Sequence, residues 1–290
     1  MNGIILVDKP QNWTSHDVVA KLRGVLHERR IGHSGTLDPL ATGLLVAFVG
    51  RATRAVEFAE ADSKEYIAGL HLGVSTDTQD ITGNIVAESA ALPDEAALRE
   101  AIGRFIGDIE QIPPMYSAIK IGGKKLYELA RRGESVERAP RKITVSAIDI
   151  AGRDGDDYIL NISCSKGTYV RTLCSDIGEA LGCGACMSSL RRTRAGVFSV
   201  DDAHSLADIE TTVREGRLSD IILPVDTLFA SFPKLTVSQS AAKRLKNGNI
   251  IKISAEDGEY KVYSDSDEFL LLGRVECGKL KTIKSFYEVS

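Results

Sequence analysis

One aspartate near the start of the chain stands in a setting suited to covalent chemistry. Residues 32–43 read GHSGTLDPLATG, and the three glycines let the backbone approach a ligand closely. Pro39 restricts Asp38 to extended geometry. The loop leads into Leu44–Val49, an apolar run that predicts a buried strand. Such a loop can hold the Asp38 carboxylate rigidly at a cavity edge, although a tight turn in which Asp38 caps a backbone N–H is the alternative.

Two further segments could supply partners for this carboxylate. Tyr66 opens a predicted strand, where an aromatic ring can stack on a base or simply join the core. A predicted helix over Thr168–Leu181 brings Tyr169 and Arg171 to its start. An arginine there could pair with a carboxylate and hold it ionised, or it could be an ordinary surface residue.

Basic residues are concentrated in an otherwise acidic chain. The 36 Lys and Arg residues against 40 Asp and Glu residues give a net charge of −4. Residues 113–142, which we call the basic insertion, carry eight basic residues against three glutamates. Smaller basic zones lie at residues 21–30 and Ser189–Arg194. This segregation is typical of a protein with a nucleic-acid-facing side, but a solvated charged surface would look the same. The basic insertion has no strong apolar face in its sequence, so we expect it to be mobile without RNA.

The predicted helices and strands, which position these residues, indicate a mixed α/β (α+β) protein. After residue 230 the pattern changes to one short basic helix, Ser238–Asn247, and four short strands, which predict a small barrel-like second domain. The other predicted helices begin near Thr14, Ala52, Pro93 and Thr168, with a partly helical stretch over His204–Leu228. The predicted strands are Ile4–Val7, Leu44–Val49, Tyr66–Leu72, Ile143–Ile150, Tyr158–Cys164, Ile250–Ile253, Tyr260–Tyr263, Phe269–Val275 and Leu280–Tyr287, and Ser75–Gly83 is a predicted turn.

Composition excludes several classes of protein. Hydrophobic residues make up 43% and charged residues 26%, which excludes wholesale disorder. No run of 18 apolar residues predicts a membrane span, and residues 1–9 do not form a signal peptide. Five cysteines, an odd number, favour reduced thiols in a cytoplasmic protein. Cys183 and Cys186 form a C-x-x-C without a second pair, so neither a metal site nor a redox function is expected.

Taken together, the segments resemble the TruB family of bacterial tRNA pseudouridine-55 synthases. The matching motifs occur in one order from residue 3 to residue 193, and the segment after Phe232 resembles a PUA RNA-binding domain. The motifs are GIILVDKP at 3–10, TSHDVV at 14–19, GHSGTLDPLATG at 32–43, KEY at 64–66, TDTQD at 76–80, PPMYSA at 113–118, KGTYVR at 166–171 and LRRT at 190–193.

The resemblance implies a fold, a reaction and a set of residue roles. It implies a pseudouridine synthase domain over residues 1–229, with a mostly antiparallel sheet and flanking helices, and a PUA-like β-barrel domain over residues 230–290. The implied reaction converts one uridine of the T-arm loop of tRNA to pseudouridine, with no metal or other cofactor. Asp38 would be the nucleophile, Arg171 its partner, and Tyr66 the stacking residue that also acts as a base. The implied RNA-binding residues are Lys9, His33, Tyr66, Tyr169, Leu190, Lys124 and Lys125.

Two other functions fit part of the sequence. A non-catalytic protein that binds or folds tRNA would share the basic zones and the PUA-like segment, but it would not need Asp38 and Arg171 together. A pseudouridine synthase of the same fold could act on another RNA, since target choice depends on distributed backbone contacts. We expect a cytoplasmic monomer that is not bound to a membrane.

Overall fold

Residues 1–60 and 63–287 are described by a computed structural model, and they form eighteen strands and seven α-helices. The strands are β1 Gly3–Lys9, β2 Ile31–Ser34, β3 Thr42–Val49, β4 Lys64–Leu72, β5 Val74–Thr76, β6 Ile85–Glu88, β7 Gly107–Gln111, β8 Lys120–Ile121, β9 Lys124–Lys125, β10 Arg141–Asp154, β11 Asp157–Cys164, β12 Ala185–Ala195, β13 Phe198–Ser199, β14 Lys234–Val237, β15 Ile251–Lys252, β16 Gly258–Ser264, β17 Phe269–Glu276 and β18 Lys279–Ser285. The helices are α1 Ser15–Leu26, α2 Val56–Glu60, α3 Glu95–Gly103, α4 Leu126–Ala130, α5 Val170–Ala180, α6 Leu206–Arg214 and α7 Gln239–Lys246. Short 3₁₀ segments cover Gly50–Ala55, Val200–Asp202, Leu218–Asp220 and Val225–Phe229.

The main sheet is mixed and mostly antiparallel, as predicted. Its order is β1-β3-β12-β4-β11-β10-β7, with β2 paired to β3 and β13 paired to β12. Among these described strands, only β3 and β12 run parallel. Gly43 permits this contact: its φ is +94°, and a Cβ there would lie 2.3 Å from the Arg192 carbonyl oxygen. A side chain at position 43 would therefore separate the two strands.

Helices flank this sheet, and α1 begins with the predicted side-chain cap, whereas α5 begins after Tyr169 without one. Thr14 caps α1 and forms a capping box with Asp17. The apolar face of α1, which includes Val18 and Leu22, is buried against residues of β1 and β3. Within the described residues, no helix is long and apolar enough to cross a membrane.

The C-terminal segment forms a separate five-stranded sheet with α7. Its order is β14-β16-β17-β18-β15. The four predicted strands are present, and β14 adds a fifth that runs parallel to β16. This arrangement is consistent with a PUA-like domain.

A cluster of aromatic rings joins the two sheets. Phe229 lies at its centre, with ring centroids 5.3 Å from Phe58 and 5.7 Å from Phe286. Phe232 and Phe269 also contact Phe229. These rings belong to one buried apolar cluster that includes residues of β1, β3 and β17, so the two sheets share a core.

Several local predictions were wrong or incomplete. The predicted loop over residues 32–43 begins and ends as strand, in β2 and β3. The predicted turn over Ser75–Gly83 opens with β5, which pairs with β6. A helix predicted over Ala52–Ala61 is a 3₁₀ turn followed by α2, and Ala61 lies outside the described residues. Strands β7 and β12 were missed, because polar residues dominate β7 and an arginine run hides the apolar alternation of β12.

The basic insertion has more structure than its composition indicated. It contains the two-residue hairpin β8–β9 and the short helix α4. Leu126 and Leu129 of α4 are buried, so the insertion has a small apolar contact that the sequence argument did not predict. A pair of leucines one turn apart is too short a pattern to be read reliably from sequence. Mobility in the absence of RNA stays a prediction.

Candidate active site

A cavity of about 560 Å³ opens where β4, β12, α5 and the start of the basic insertion meet. Five of the residues singled out in the sequence line it together: Asp38, Tyr66, Tyr169, Arg171 and Leu190. They come from four separate segments of the chain, so the fold brings them together. Tyrosine and leucine side chains, the Asp38–Arg171 pair and several further cations line this cavity, which suits a flat base joined to a negatively charged backbone.

The loop that carries Asp38 is braced from outside the cavity. The Ser15 hydroxyl accepts a hydrogen bond from the Leu37 amide at 2.9 Å and donates to the Leu37 carbonyl at 3.2 Å. The Asn12 amide donates to the Pro39 carbonyl at 2.8 Å. These bonds fix the backbone on both sides of Asp38, which sets the direction of its carboxylate.

Arg171 holds this carboxylate from the first turn of α5. Its Nε lies 2.9 Å from Oδ2 of Asp38. Its other nitrogens donate to the carbonyls of Thr78 at 3.0 Å and Tyr116 at 2.8 Å. Arg171 is only 5% exposed, so its guanidinium is fixed by neighbours on every edge.

The Asp38 carboxyl is shielded from bulk water yet remains open to the cavity. Burial raises the pKa of Asp38 above its ordinary value, and the Arg171 guanidinium opposes that rise. The side chain keeps 38% of its surface exposed, which leaves an oxygen accessible to a ligand. The group is therefore a more basic carboxylate than one on the surface, and it is positioned to attack an electrophilic carbon.

Asp80 is a part of this site that the sequence argument did not single out. Its Oδ2 lies 3.6 Å from Nη1 of Arg171. Its Oδ1 accepts hydrogen bonds from the Thr78 hydroxyl at 3.0 Å and the Thr82 amide at 3.0 Å. The TDTQD motif contains this residue, but only the fold shows that it faces Arg171.

Arg192 is the second residue missed, because it is buried and does not belong to the basic surface zone predicted over Ser189–Arg194. Arg192 is 1% exposed, and it donates to the carbonyls of Leu44 at 2.7 Å and Gly35 at 2.9 Å. Its neighbours are paired: Arg191 binds Asp8 at 2.8 Å, and Arg194 lies 3.7 Å from Glu65. The zone is a strand of the central sheet, in which Arg192 is buried while Arg191 and Arg194 remain partly exposed beside their carboxylate partners.

Arg192 also contacts Tyr66, which lies directly opposite it on β4. Burial raises the pKa of the Tyr66 hydroxyl, while the hydrogen-bonded guanidinium of Arg192 lowers it. Burial is the larger of the two effects, so the pKa of Tyr66 is raised overall, and Arg192 limits that rise.

The wall formed by Tyr169 is held by Gln111. The Gln111 side chain accepts from the Tyr169 amide at 2.8 Å and donates to its carbonyl at 3.1 Å. Gln111 is 2% exposed and ends β7, two residues before the basic insertion. It connects the start of α5 to the base of that insertion.

Two predicted substrate-binding residues lie behind the cavity wall. Lys9 is fully buried and donates to the carbonyls of Pro10 at 2.9 Å and Trp13 at 2.6 Å, and burial lowers its pKa to about 8. His33 packs edge-on against His16 at 5.7 Å, and burial lowers its pKa to about 4. Lys9, whose ammonium also lies 3.5 Å from the Pro39 carbonyl, supports the Asp38 loop, and contact of either residue with RNA stays a prediction.

Lys124 and Lys125 lie on the hairpin of the basic insertion, away from the cavity wall. Lys124 is exposed. The Lys125 ammonium lies 5.3 Å from the ring centroid of Tyr127, and Arg131 contacts the same ring. Across the described part of the chain, no group of three His, Cys, Asp or Glu side chains is arranged to hold a metal ion. Cys183 and Cys186 are both buried.

Solved structures of known proteins share this fold over nearly the whole chain. The matching chain of a Cbf5-Nop10-Gar1 complex has a TM-score of 0.75 and 28% sequence identity, over 98% of this chain and 85% of its own. A second structure, described as an H/ACA RNP bound to a substrate RNA containing 2'-deoxyuridine, gives a TM-score of 0.74 and 26% identity, over 99% of this chain and 85% of that chain.

Family models agree with the geometry. The N-terminal domain of the TruB family pseudouridylate synthases matches residues 23–170, and the tRNA pseudouridylate synthase B C-terminal domain matches residues 171–230. Fold and site thus define a pseudouridylate synthase. Among curated relatives, the tRNA pseudouridine synthase B of Alkaliphilus oremlandii is 47% identical over 87% of this chain and 83% of its own, and that of Clostridium kluyveri is 38% identical over 99% and 100%. The chain belongs to the TruB family, and it is an enzyme.

Proposed function

We propose that the protein converts the uridine at position 55, in the T-arm loop of tRNA, to pseudouridine, with Asp38 as the nucleophile. The observation that carries the proposal is the Asp38–Arg171 pair, 2.9 Å apart in a cavity walled by Tyr66, Tyr169 and Leu190. The relatives that share most of this chain are named tRNA pseudouridine synthases, which supports tRNA as the substrate.

The chemistry requires one bond to break and another to form at the same sugar carbon. The bond from C1′ of the ribose to N1 of uracil breaks, the base rotates, and C5 bonds to C1′. An Asp38 oxygen attacks either C1′ or C6 of the uracil, and the carboxylate is released when the new bond is complete. The proton lost from C5 is balanced by the proton that N1 gains, so no redox partner is needed.

The cavity contributes more than a nucleophile. The target base stacks inside a folded loop, so it must leave that stack and enter the protein. The tyrosine and leucine walls exclude water, which would otherwise capture a detached sugar and release the base. Tyr66 stacks on the uracil, and its hydroxyl, beside Arg192, is placed to remove the C5 proton.

The remaining surfaces suit a folded RNA loop. We assign the basic insertion, with Lys124 and Lys125, to backbone contacts near the T-arm, because exposed cations bind phosphates whatever the sequence. We keep residues 1–229 as the catalytic domain and residues 230–290 as a PUA-like RNA-binding domain. Lys9 and His33 complete the proposed set of RNA-binding residues, and the protein acts as a cytoplasmic monomer without a cofactor.

The direct test maps pseudouridine in an unmodified tRNA transcript. Primer extension after carbodiimide treatment is expected to stop at position 55 when the wild-type protein is present, and Asp38→Asn serves as the inactive control. Stops at another position would reassign the target. Binding of tRNA without any stop would favour a protein that binds or folds tRNA without modifying it.

A further inference from the structure

Two cations stand at the mouth of the cavity, on neighbouring strand ends. Arg141 begins β10, and Lys166 follows the end of β11. Both line the cavity, and both are exposed. The Thr144 amide donates to the Ser165 hydroxyl at 2.9 Å, and the Ser165 amide donates to the Thr144 carbonyl at 2.8 Å. These bonds hold the two strand ends side by side, which keeps the cations on the same rim.

Neither cation is used within the protein. In the chain as described, Arg141 and Lys166 form no ion pair, whereas Arg171, Arg191 and Arg194 each pair with a carboxylate. In strand register Arg141 lies opposite the neutral Gln111. Lys142 also lines the cavity, and in strand register it lies opposite the acidic Glu110. Arg141 has no acidic residue opposite it in this register, and neither Arg141 nor Lys166 is in a described ion pair, so the rim keeps positive charge at these two residues.

The loop beside Lys166 leaves room for a ligand. Gly167 has a φ of +82°, and a Cβ built there would have no atom within 4 Å. Arg141 and Tyr169 line the same cavity, and the Arg141 charge acts against the rise that burial causes in the pKa of Tyr169. The open space is thus flanked by one cation on each strand end.

We infer that Arg141 and Lys166 bind the two backbone phosphates that flank the uridine held in the cavity. The inference rests on the proposed function and adds the residues that anchor the nucleotide. A base that enters the cavity leaves its ribose at the mouth, with one phosphate on each side. Charge-assisted contacts at those phosphates oppose the return of the base to its stack, and they keep C1′ near Asp38 while the base is detached.

The test pairs a charge removed from the protein with a charge removed from the RNA. A T-arm stem-loop is made with neutral methylphosphonate linkages on both sides of the target uridine. Its Kd is measured by fluorescence anisotropy for the wild type and for the double variant Arg141→Gln/Lys166→Gln. Arg104→Gln/Arg153→Gln is the matched control, because it removes two exposed arginines that do not line the cavity.

The double variant is expected to raise the Kd of the stem-loop with normal phosphate linkages by about 10- to 100-fold, because a hydrogen bond to a charged group contributes more binding free energy than one between neutral groups. The salt slope of log K is expected to fall by about 1.4, at roughly 0.7 for each phosphate contact to single-stranded RNA. For the wild type, the neutral linkages are expected to raise the Kd by about as much as the double variant does. For the double variant they are expected to change the Kd by less than about threefold, because the cations that would contact those phosphates are already absent.

These four Kd values, for two proteins and two RNAs, form a double-mutant cycle. If the losses of binding free energy from the protein variant and from the neutral RNA simply add, or if the control variant loses as much affinity, the inference is overturned. The proposed function is judged separately, by pseudouridine formation in the wild type. A wild type that converts the uridine while the cycle is additive refutes only the phosphate assignment. A wild type that shows the expected cycle but forms no pseudouridine refutes only the reaction.

Discussion

The cavity floor and the basic insertion use positive charge in opposite ways. On the floor (Asp38, Tyr66, Arg171 and Arg192), both arginines are buried. Their guanidinium groups bind the Asp38 carboxylate and backbone carbonyls of the protein. In the basic insertion, the lysines and arginines form no ion pair within the described residues. The floor fixes its cations with carboxylates and carbonyls, whereas the described cations of the insertion have no carboxylate partner, and Lys125 and Arg138 hydrogen-bond only to Tyr127 and the Pro113 carbonyl.

This difference separates chemistry from binding. A buried cation that orients a nucleophile must not move, and the removal of one partner from such a pair costs about 3–5 kcal/mol. An exposed cation contributes little to the free energy of folding, so it remains available for a phosphate. We therefore expect substitutions on the floor to change the rate of reaction, and those in the insertion to change affinity.

Asp38→Asn gives the largest expected effect. The amide keeps the shape of the side chain but is a very poor nucleophile, so turnover is expected to fall by about 10⁴-fold or more. The Kd for tRNA is expected to stay within about threefold, because the insertion is untouched. Single-turnover assays and filter binding measure the two quantities. Substantial turnover by the purified variant would remove Asp38 from the mechanism.

Tyr66→Phe sharpens the comparison within the floor. The ring can still stack, so RNA binding is retained, but loss of the hydroxyl is expected to lower kcat by about 10²- to 10⁴-fold if it moves a proton. Tyr66→Leu is the matched variant and is expected to lose both stacking and rate. If kcat is unchanged in Tyr66→Phe, Tyr66 only stacks on the base.

The pH dependence of the rate tests how the floor holds its charges. Asp38 must be ionised to attack, and burial raises its pKa, so activity is expected to fall with decreasing pH at values above the ordinary carboxyl range. Arg171 opposes that rise in pKa. In Arg171→Gln, the fall of log kcat on the acidic side of the pH profile (the acid limb) is therefore expected to occur at a higher pH than in the wild type. Lys124→Gln, which lies away from the cavity, is expected to leave the limb in place. An acid limb at the same pH in Arg171→Gln would show that Asp38 does not control it.

Lys124→Ala/Lys125→Ala gives the smallest effect and acts on the other region. Loss of two phosphate contacts is expected to weaken tRNA binding and to flatten the salt slope of log K by up to about two units. Single-turnover rates at saturating RNA are expected to stay within about tenfold of the wild type. A variant that binds normally, with the wild-type slope, would show that the insertion is an ordinary solvated surface.

The sequence predicted the residues whose role depends on local pattern. The glycine-rich loop marked Asp38, and the predicted helix start marked Arg171. Their pairing was expected from the resemblance to the TruB family, because the local pattern alone also allowed a turn residue at Asp38 and an ordinary surface arginine at Arg171. The strands with clear apolar runs, such as β1 and β3, were found for the same reason.

The residues that were missed depend on contacts between distant segments. Arg192 is buried only because β12 pairs with β4 on one side and β3 on the other, and nothing near it in sequence shows this. Lys9 was expected to bind RNA, and its burial was not foreseen, because three backbone carbonyls from residues 10, 13 and 39 surround its ammonium. Burial of a charge is decided by such long-range partners, so local periodicity could not reveal it.

The aromatic cluster around Phe229 has a consequence for how the molecule melts. Neither sheet can come apart without exposing rings that the other sheet covers, and Arg51 adds a hydrogen bond to the Tyr287 carbonyl across the same junction. We therefore expect one cooperative transition in calorimetry rather than two, with equal calorimetric and van't Hoff enthalpies. A chain truncated after residue 229 would expose this apolar surface to solvent, and aggregation would compete with its refolding.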